Sequence, residues 1–224
     1  MNQLKVAPLH VCSGIFKNYS YLVFDQGSNN ALVIDPAWEL EKYLEVFNDF
    51  GVTPTHILLT HTHFDHIELV DYFAGNFKTK IWVSKNERNR LPFTSDLIRT
   101  FSHMDALNLN GLDCTAFLTP GHSPGSSCFL IGSNLFSGDT LFIEGCGICD
   151  EPDANPEHLY ESLMFIKNEF SLDVKVYPGH RFQACPGKTM EYVLANNIYL
   201  HFKTKKEFVD FRMRNNQLNF FDFK

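Results

Sequence analysis

Apolar residues along the chain follow two different periods, and the changes between them outline the predicted elements. Short runs rich in β-branched and aromatic residues predict strands, and three of them fall before residue 35. Apolar residues at helical spacing follow, and Gly51 ends that predicted helix. Predicted strands lie at 10–12, 19–24, 31–34, 55–60, 80–83, 114–118, 128–131, 134–137 and 174–177, and predicted helices at 38–47, 67–77, 156–170 and 205–215.

Groups of strands alternate with helices in two successive halves of the chain. This pattern is typical of two sheets packed face to face, with helices covering their outer sides. A length of 224 residues is that of one domain. We therefore predict a single α/β domain over residues 1–224, in which residues 181–224 form a short, basic, helix-rich C-terminal extension.

Composition places the chain among ordinary globular proteins, with 44 % hydrophobic and 20 % charged residues. No apolar stretch approaches the ~20 residues that span a membrane, and the N-terminal residues lack the apolar core of a signal peptide. We expect a cytoplasmic protein without a membrane partner, whose six cysteines are free thiols. A net charge of −7 argues against nucleic acid as the main partner.

Charge is distributed unevenly between the C-terminal extension and the remainder of the chain. Residues 181–224 contain eight Lys and Arg against four acids, which gives +4, so the first 180 residues carry −11. A solvated helix face would explain the excess of positive charge. The alternative is a docking surface for an acidic partner.

Three histidines and one aspartate fall within six positions, directly after the strand predicted at 55–60. Histidine and aspartate supply the nitrogen and oxygen donors that suit a divalent ion such as zinc. His61 and His63 lie two positions apart in an extended turn and point the same way, whereas Asp65 and His66 enter the next helix. This geometry predicts two adjacent metal positions, with a histidine-rich surface turn as the simpler alternative.

Three later predicted strands are also followed by a histidine or an aspartate. Each strand stops at a tight turn that contains glycine, which lets the backbone turn sharply, and two of the turns also contain proline, which stiffens them. Loops at strand ends on a rigid scaffold commonly carry catalytic residues. The strands at 114–118, 134–137 and 174–177 are followed by His122, Asp139 and His180 respectively.

Seven ligands suit two divalent ions that share one bridging carboxylate. We expect two zinc ions, with iron or manganese as alternatives. Water between two cations has its pKa lowered enough to form a nucleophile near neutral pH, so the predicted chemistry is hydrolysis. Asp65 could also orient or deprotonate that water. The assignment places His61, His63 and His122 on one ion, Asp65, His66 and His180 on the other, and Asp139 between them.

Two further features receive a structural interpretation. Cys146 and Cys149 have the C-x-x-C spacing of redox or zinc sites, but no second pair lies at zinc spacing, so coincidence is the favoured explanation. The chain also ends in a phenylalanine-rich segment, which we expect to serve in packing or as a dimer surface. Its members are Phe208, Phe211, Phe220, Phe221 and Phe223.

The motif Thr-His-x-His-x-Asp-His at 60–66, followed by His122, Asp139 and His180, resembles the metallo-β-lactamase-fold hydrolases over about residues 10–185. The resemblance implies a four-layer αββα sandwich with the metals at the edge of the two sheets. An aspartate at position 139 is similar to the hydroxyacylglutathione hydrolase (glyoxalase II) branch. True β-lactamases of this fold lack that bridging acid, so the resemblance does not imply antibiotic hydrolysis.

Residues 138–142 and the following Gly-Cys-Gly at 145–147 resemble both glyoxalase II and the iron-dependent persulfide dioxygenases. In both families a basic residue after Gly-Cys-Gly helps to hold glutathione, and this chain has Ile148 there. Glyoxalase II also uses tyrosines near the positions of Asp150 and Phe182, and it has a longer C-terminal helical domain. These departures argue against glutathione as the carrier of the substrate.

The segments 10–22 and 34–40 resemble the zinc-dependent hydrolases of bacterial trans-acyltransferase polyketide clusters, and the likeness runs nearly end to end. It implies a dinuclear zinc thioesterase that clears acyl groups from acyl carrier proteins in polyketide antibiotic biosynthesis. Such carriers are acidic, so they would dock near the basic extension.

Four alternatives remain open beside the carrier-protein thioesterase. They are a hydroxyacylglutathione hydrolase-like enzyme acting on a small thiol thioester, an iron-dependent persulfide dioxygenase, a metal-dependent esterase or lactonase, and a protein that keeps a metal for structure. Seven ligands on four loops favour an open catalytic site over a closed structural one. The loops that would form an acyl pocket carry no pattern, so the sequence names no substrate-binding residue.

Overall fold

Two mixed sheets lie face to face in the computed structural model, which describes residues 3–215 and 223–224. The first sheet contains, in spatial order, β1 (Leu4–Ser13), β2 (Phe16–Asp25), β3 (Asn30–Ile34), β4 (Thr53–Leu58), β5 (Lys80–Ser84) and β6 (Ile98–Phe101). The second contains β7 (Asp105–Leu109), β8 (Leu112–Leu118), β9 (Ser127–Ile131), β10 (Asn134–Gly138), β11 (Lys175–Pro178) and β12 (Lys188–Thr189), again in spatial order.

Helices join the strands and cover the two outer faces. Short 3₁₀ helices lie at Arg88–Arg90 and Ile198–Leu200. The α-helices are α1 (Leu40–Phe50), α2 (Phe64–Ile67), α3 (Val70–Phe77), α4 (Pro156–Glu169), α5 (Met190–Asn196) and α6 (Lys205–Arg212).

The hydrophobic core has three layers, because side chains along each strand point alternately to the two faces of its sheet. In β2, Leu22 points outward and joins Tyr43 of α1 and Phe73 of α3, whereas Tyr21 and Val23 point inward. Side chains of a strand alternate between faces, so one apolar strand can contribute to two layers of the core.

The inward layer joins the two sheets, and the third layer lies beneath the second group of helices. Tyr21 packs on Phe136 and Tyr177 of the second sheet at ring distances of 5.3 and 5.4 Å. Outside that sheet, buried Leu159 of α4 and Phe208 of α6 belong to one apolar cluster. The order helix, sheet, sheet, helix confirms the predicted αββα sandwich.

Four strands go beyond the sequence prediction: most of β1, and the whole of β6, β7 and β12, each of which lies at an edge of its sheet. The run predicted at 10–12 is the end of β1, a strand of ten residues that includes Pro8. Proline is tolerated there because β1 is at the edge of the sheet and its free side needs no donor. Strand β6 lies in a stretch where no pattern predicted an element, and it pairs in parallel with β5.

Three basic side chains of the extension pair with acids or are buried. Lys205 pairs with Glu161 of α4 at 2.5 Å, and Lys206 pairs with Asp210 within α6. Phe208 and Arg212 are buried, whereas Phe220 and Phe221 lie outside the described residues. Within the described part of the chain, no helix is long and apolar enough to cross a bilayer.

Candidate metal centre

The carboxyl ends of four strands meet at one edge of the sandwich. Strands β8, β10 and β11 run in the same direction, because β8 and β10 are both antiparallel to β9 and β11 is parallel to β10. Strand β4 reaches them from the other sheet, where Ser127 N donates to the Thr60 carbonyl at 2.8 Å. The side chains brought to this edge are His61, His63, Asp65, His66, His122, Asp139 and His180.

Two glycines permit the close approach of these loops. Gly138 has a positive φ of 47°, and a Cβ there would overlap the side chain of Thr60. At Gly179, an added Cβ would overlap Oδ1 of Asp139 and lie 2.8 Å from Cε1 of His66. Any larger residue at either position would therefore separate the two sheets where the candidate ligands meet.

His61, His63 and His122 form the first group of candidate ligands. One nitrogen of each ring lies within 4.8 Å of the corresponding nitrogen of the other two. Nε2 of His122 is 3.0 Å from Nδ1 of His63, so these two atoms point to a common position. Three ring nitrogens at this spacing match the histidine donors of a zinc site with an open fourth position.

Asp65, His66 and His180 form the second group, again with one ligand atom of each within 4.8 Å of the others. Oδ2 of Asp65 lies 3.8 Å from Nε2 of His66 and 3.6 Å from Nε2 of His180. The side chain of Asn18 donates to both Oδ2 and the backbone carbonyl of Asp65, at 3.1 and 2.8 Å. This asparagine was missed by the sequence analysis, since one polar residue inside an apolar strand forms no pattern.

Asp139 lies between the two groups. Its Oδ2 is 3.6 Å from Nε2 of His122 in the first group and 3.2 Å from Nε2 of His180 in the second. Its Oδ1 lies 3.5 Å from Nε2 of His66. The carboxylate therefore contacts both groups, as a bridging ligand must.

Backbone carbonyls orient two of the histidine rings. Nδ1 of His122 donates to the carbonyl of Ile148 and Nδ1 of His180 to that of Lys17, each at 2.8 Å. A carbonyl can only accept, so each Nδ1 carries a proton and each Nε2 faces the side of the candidate ligands. Outer hydrogen bonds of this kind commonly fix the tautomer of metal-binding histidines.

Asp35 orients the remaining part of the cluster from the end of β3. Its carboxylate accepts from Thr60 N at 2.8 Å, from Thr60 Oγ1 at 2.6 Å and from Nδ1 of His66 at 3.0 Å. Thr60 Oγ1 in turn lies 3.1 Å from Nδ1 of His61. Asp35 is not among the residues predicted from the sequence, although an acid directly after a buried strand is the same signal that identified Asp139.

Burial and neighbouring side chains shift the pKa values of the candidate ligands. Burial and the neighbouring His66 ring hold the pKa of His61 well below its usual range. Burial opposes protonation of His66, but the carboxylates of Asp65 and Asp139 raise its pKa to about 10. Burial alone would raise the pKa of Asp139, but the His180 and His66 rings hold it well below its usual range. The carboxylates thus attract positive charge into a buried site.

Unsatisfied polar atoms show that the donor set fits metal ions. Nε2 of His61 and Oδ1 of Asp139 are buried, and neither has a hydrogen-bond partner in the described part of the chain. Buried polar atoms without partners are uncommon and costly. Divalent ions held by the two groups would satisfy both atoms.

A cavity of about 680 Å³ opens over the cluster. Its wall includes Phe223, whose ring stacks on His180, and the acids Asp150 and Glu151 lie on another part of the lining. No sequence pattern indicated this wall, because its residues come from separated segments. The phenylalanines that line it are Phe16, Phe64, Phe142, Phe182 and Phe223.

The loop that contains Cys146 and Cys149 supports the cluster of candidate ligands through its backbone. Both cysteines are free and buried, and burial raises the pKa of Cys149 to about 12, so neither is a reactive thiol. Between them, the carbonyl of Gly147 accepts from Nε of buried Arg212 at 2.9 Å. The adjacent carbonyl of Ile148 holds His122.

Known proteins share this arrangement of sequence and fold. The chain is 36 % identical over 220 residues to the probable polyketide biosynthesis zinc-dependent hydrolase PksB of Bacillus subtilis (strain 168), with 98 % of both chains covered. It is 32 % identical over 167 residues to the hydroxyacylglutathione hydrolase of Pelagibacter ubique (strain HTCC1062), which covers 74 % of this chain and 67 % of the relative. These similarities confirm the resemblances found in the sequence.

A solved structure shares the fold. The crystal structure of ETHE1 from Myxococcus xanthus superposes with a TM-score of 0.82 at 25 % identity, covering 94 % of this chain and 92 % of the other. The family described as the metallo-beta-lactamase superfamily matches residues 14–105, a range that contains the motif at 60–66. Together with the full-length similarity to PksB, this match shows that the chain belongs to the metallo-β-lactamase superfamily.

Proposed function

We propose that the protein is a dinuclear zinc-dependent thioester hydrolase that removes acyl groups from acyl carrier proteins during polyketide antibiotic biosynthesis in the cytoplasm. The observation that carries this proposal is the position of Asp139, which contacts ligand candidates of both three-residue groups beneath an open cavity. Two sites that share a carboxylate suit hydrolysis, because one cavity can then present both a nucleophilic water and a polarised carbonyl.

Each ligand set has its own task in this proposal. His61, His63 and His122 would hold one zinc ion and the second group the other, with Asp139 bridging. Bound zinc lowers the pKa of water and polarises the thioester carbonyl. Asp65, whose Oδ2 accepts from Asn18, would orient the attacking water or accept its proton.

The lining of the cavity supports a carrier other than glutathione. Asp150, Glu151 and Glu144 bring negative charge to the cavity, and Ile148 lines it at the position where glutathione-dependent relatives have a basic residue. The three acids disfavour an anionic glutathione conjugate near them, although Arg212 and Arg214 also line the cavity, whereas a pantetheine thioester is neutral along the part that enters. The name of PksB, a probable polyketide biosynthesis hydrolase, agrees with a carrier-bound substrate.

Docking of an acidic carrier near the C-terminal extension forms part of the same proposal. The extension carries a net charge of +4, and side chains of α6 such as Lys206 are strongly exposed. Its ion pairs lie at the surface, where such pairs contribute little, so carrier acids could replace the partners within the chain.

Metal content and hydrolysis measured together would test the proposal. We expect about two zinc ions per chain. We also expect an acylated carrier protein to lose the mass of its acyl group, as measured by intact mass spectrometry. Cleavage of an acylglutathione with the acyl carrier left intact would favour the hydroxyacylglutathione hydrolase-like alternative. One iron per chain with both thioesters intact would overturn the hydrolase and favour a dioxygenase.

A further inference from the structure

Glu87 is a completely buried carboxylate that takes no part in the candidate ligand set. It lies in the turn after β5, next to the 3₁₀ helix Arg88–Arg90, and its exposed fraction is 0 %. Burial of a charged carboxylate is costly unless hydrogen bonds and an opposite charge compensate it. Its contacts therefore indicate what the residue is kept for.

Both carboxylate oxygens of Glu87 accept hydrogen bonds from distant segments. Oε2 accepts from the hydroxyl of Thr62. Oε1 accepts from the hydroxyl of Ser123 at 2.8 Å and from the backbone N–H of Gly125 at 2.9 Å. Nε of Arg90 lies 3.3 Å from Oε2 and supplies the positive charge.

These donors are adjacent in sequence to all three ligands of the first group. Thr62 lies between His61 and His63, and Ser123 follows His122. One carboxylate thus links the two loops that carry this group, although the loops belong to different sheets. A shift of either loop would break a hydrogen bond to a buried charge.

Other residues hold the second group. His66 is oriented by Asp35, His180 by the carbonyl of Lys17, and Asp65 by Asn18. The hydrogen bonds of Glu87 reach the loops at 62 and 123–125. Asp35 also reaches His61 of the first group through Thr60, but no hydrogen bond of Glu87 within the described residues reaches the second group.

We propose that Glu87 is a positioning residue for the first metal position, which it keeps assembled by fixing the spacing between the loop of His61 and His63 and the loop of His122. This inference depends on the proposed metal centre, but it makes a separate statement about how one half of that centre is held. Replacement of the supports behind metal ligands typically lowers metal affinity about 10- to 100-fold.

Three variants of Glu87 separate positioning from simple stability. Glu87→Ala removes every contact. Glu87→Asp keeps the charge but is too short to reach both loops. Glu87→Gln keeps the length, and its amide can accept from Ser123 and Gly125 while Thr62 rotates its hydroxyl to accept from the amide NH₂.

The measurement is a titration of metal-free protein with Co²⁺ in the absence of substrate. Binding is monitored by the visible absorption of the bound Co²⁺ and by calorimetry. For Glu87→Ala and Glu87→Asp we expect one of the two binding steps to weaken about 10- to 100-fold and the other to keep the wild-type affinity. Glu87→Gln should return the weakened step to within a few-fold of wild type. If Glu87→Ala does not fold, Glu87→Asp gives the same comparison.

Phe47→Leu is a control for lost stability. Phe47 of α1 is also buried, at 7 % exposure, and its ring packs on Phe73 and Phe77 rather than on the ligand loops. This change should lower the melting temperature and leave both binding steps unchanged.

Two wild-type binding steps that keep their affinity in the Glu87 variants, or that weaken equally, would overturn the positioning role. If wild-type protein binds no Co²⁺, the metal centre itself is wrong and the role of Glu87 falls with it. A wild type with two metal steps but no thioester hydrolysis would contradict the proposed function and leave this test of Glu87 intact.

Discussion

The ring of Phe223 lies flat on the ring of His180, with centroids 4.1 Å apart and planes inclined by 11°. Phe223 also contacts Phe142 and Phe182 at ring distances of 6.0 and 5.1 Å. A residue at the C-terminal end of the chain thus covers a candidate metal ligand and forms part of the cavity wall.

Phe223→Ala should weaken substrate binding more than it weakens catalysis. Loss of one aromatic contact of about 1 kcal/mol corresponds to a rise in KM of about fivefold, while kcat stays within a factor of about two. Steady-state kinetics with an acyl thioester would measure both. Phe211→Ala is the control, because Phe211 packs on Tyr199 and Phe202 instead. An unchanged KM would show that the acyl group does not contact this wall.

Asp139→Ala should abolish hydrolysis in a folded protein. The bridging position is lost, so the two ions are no longer held together, and we expect kcat/KM to fall at least about 100-fold. Circular dichroism would verify the fold, and metal analysis would show fewer than two ions per chain. His63→Ala should behave similarly. Full activity in either variant would end the proposed mechanism.

Gly179→Ala tests the close approach of the loops. The new Cβ would overlap Oδ1 of Asp139, so we expect metal content and activity to fall together. Gly75→Ala is the matched control, since Gly75 lies in α3 and an added Cβ meets nothing within 4 Å. In a helix this change should stabilise the protein by about 0.4–1 kcal/mol. Normal metal content in Gly179→Ala would show that the loops can separate without harm.

Chelation should destabilise the fold. Buried atoms such as Nε2 of His61 have no hydrogen-bond partner among the described residues. A free metal concentration of 1,000 times the Kd would add about 4 kcal/mol per site to the free energy of unfolding. For a chain of this size we expect the melting temperature to fall by about 8–16 °C per ion and to return when zinc is added back. Equal melting curves with and without chelator would indicate that no ion is bound in the native protein.

Charge reversal at Lys203, just before α6, and at Lys206 within α6 tests carrier docking. Lys203 and Lys206 are exposed, and replacing both with glutamate should raise KM for an acyl carrier protein about 3- to 10-fold. KM for a small neutral thioester should not change. Lys80→Glu, an exposed site on β5 of the first sheet, is the control. Equal effects on both substrates would argue that the carrier docks elsewhere.

Local sequence patterns predicted the layers of the fold and the positions of the ligand candidates. Each group of candidate ligands comes within a few residues of the end of a short apolar strand, so residue type and strand pattern together identify it; His122 and His180 are examples. The sequence pattern did not predict the first half of β1 or the strands β6, β7 and β12. All four are edge strands, which need little apolar character.

Residues that act through long-range contacts could not be predicted in the same way. Glu87 is separated by many positions from Ser123, and the chain around it shows only a polar turn. Asn18 and Phe223 likewise gain their roles from a neighbour in another segment. Only the tertiary fold brings such partners together, because no short-range period relates them.

The hydrogen bond from Arg212 to the carbonyl of Gly147 has a consequence for engineering. The neighbouring carbonyl, that of Ile148, orients His122. Two hydrogen bonds to adjacent carbonyls therefore connect α6 with the candidate metal centre. The C-terminal extension is therefore not an interchangeable module. A chimera that takes this segment from a relative, to change the substrate, must also supply an arginine at the matching point of the helix.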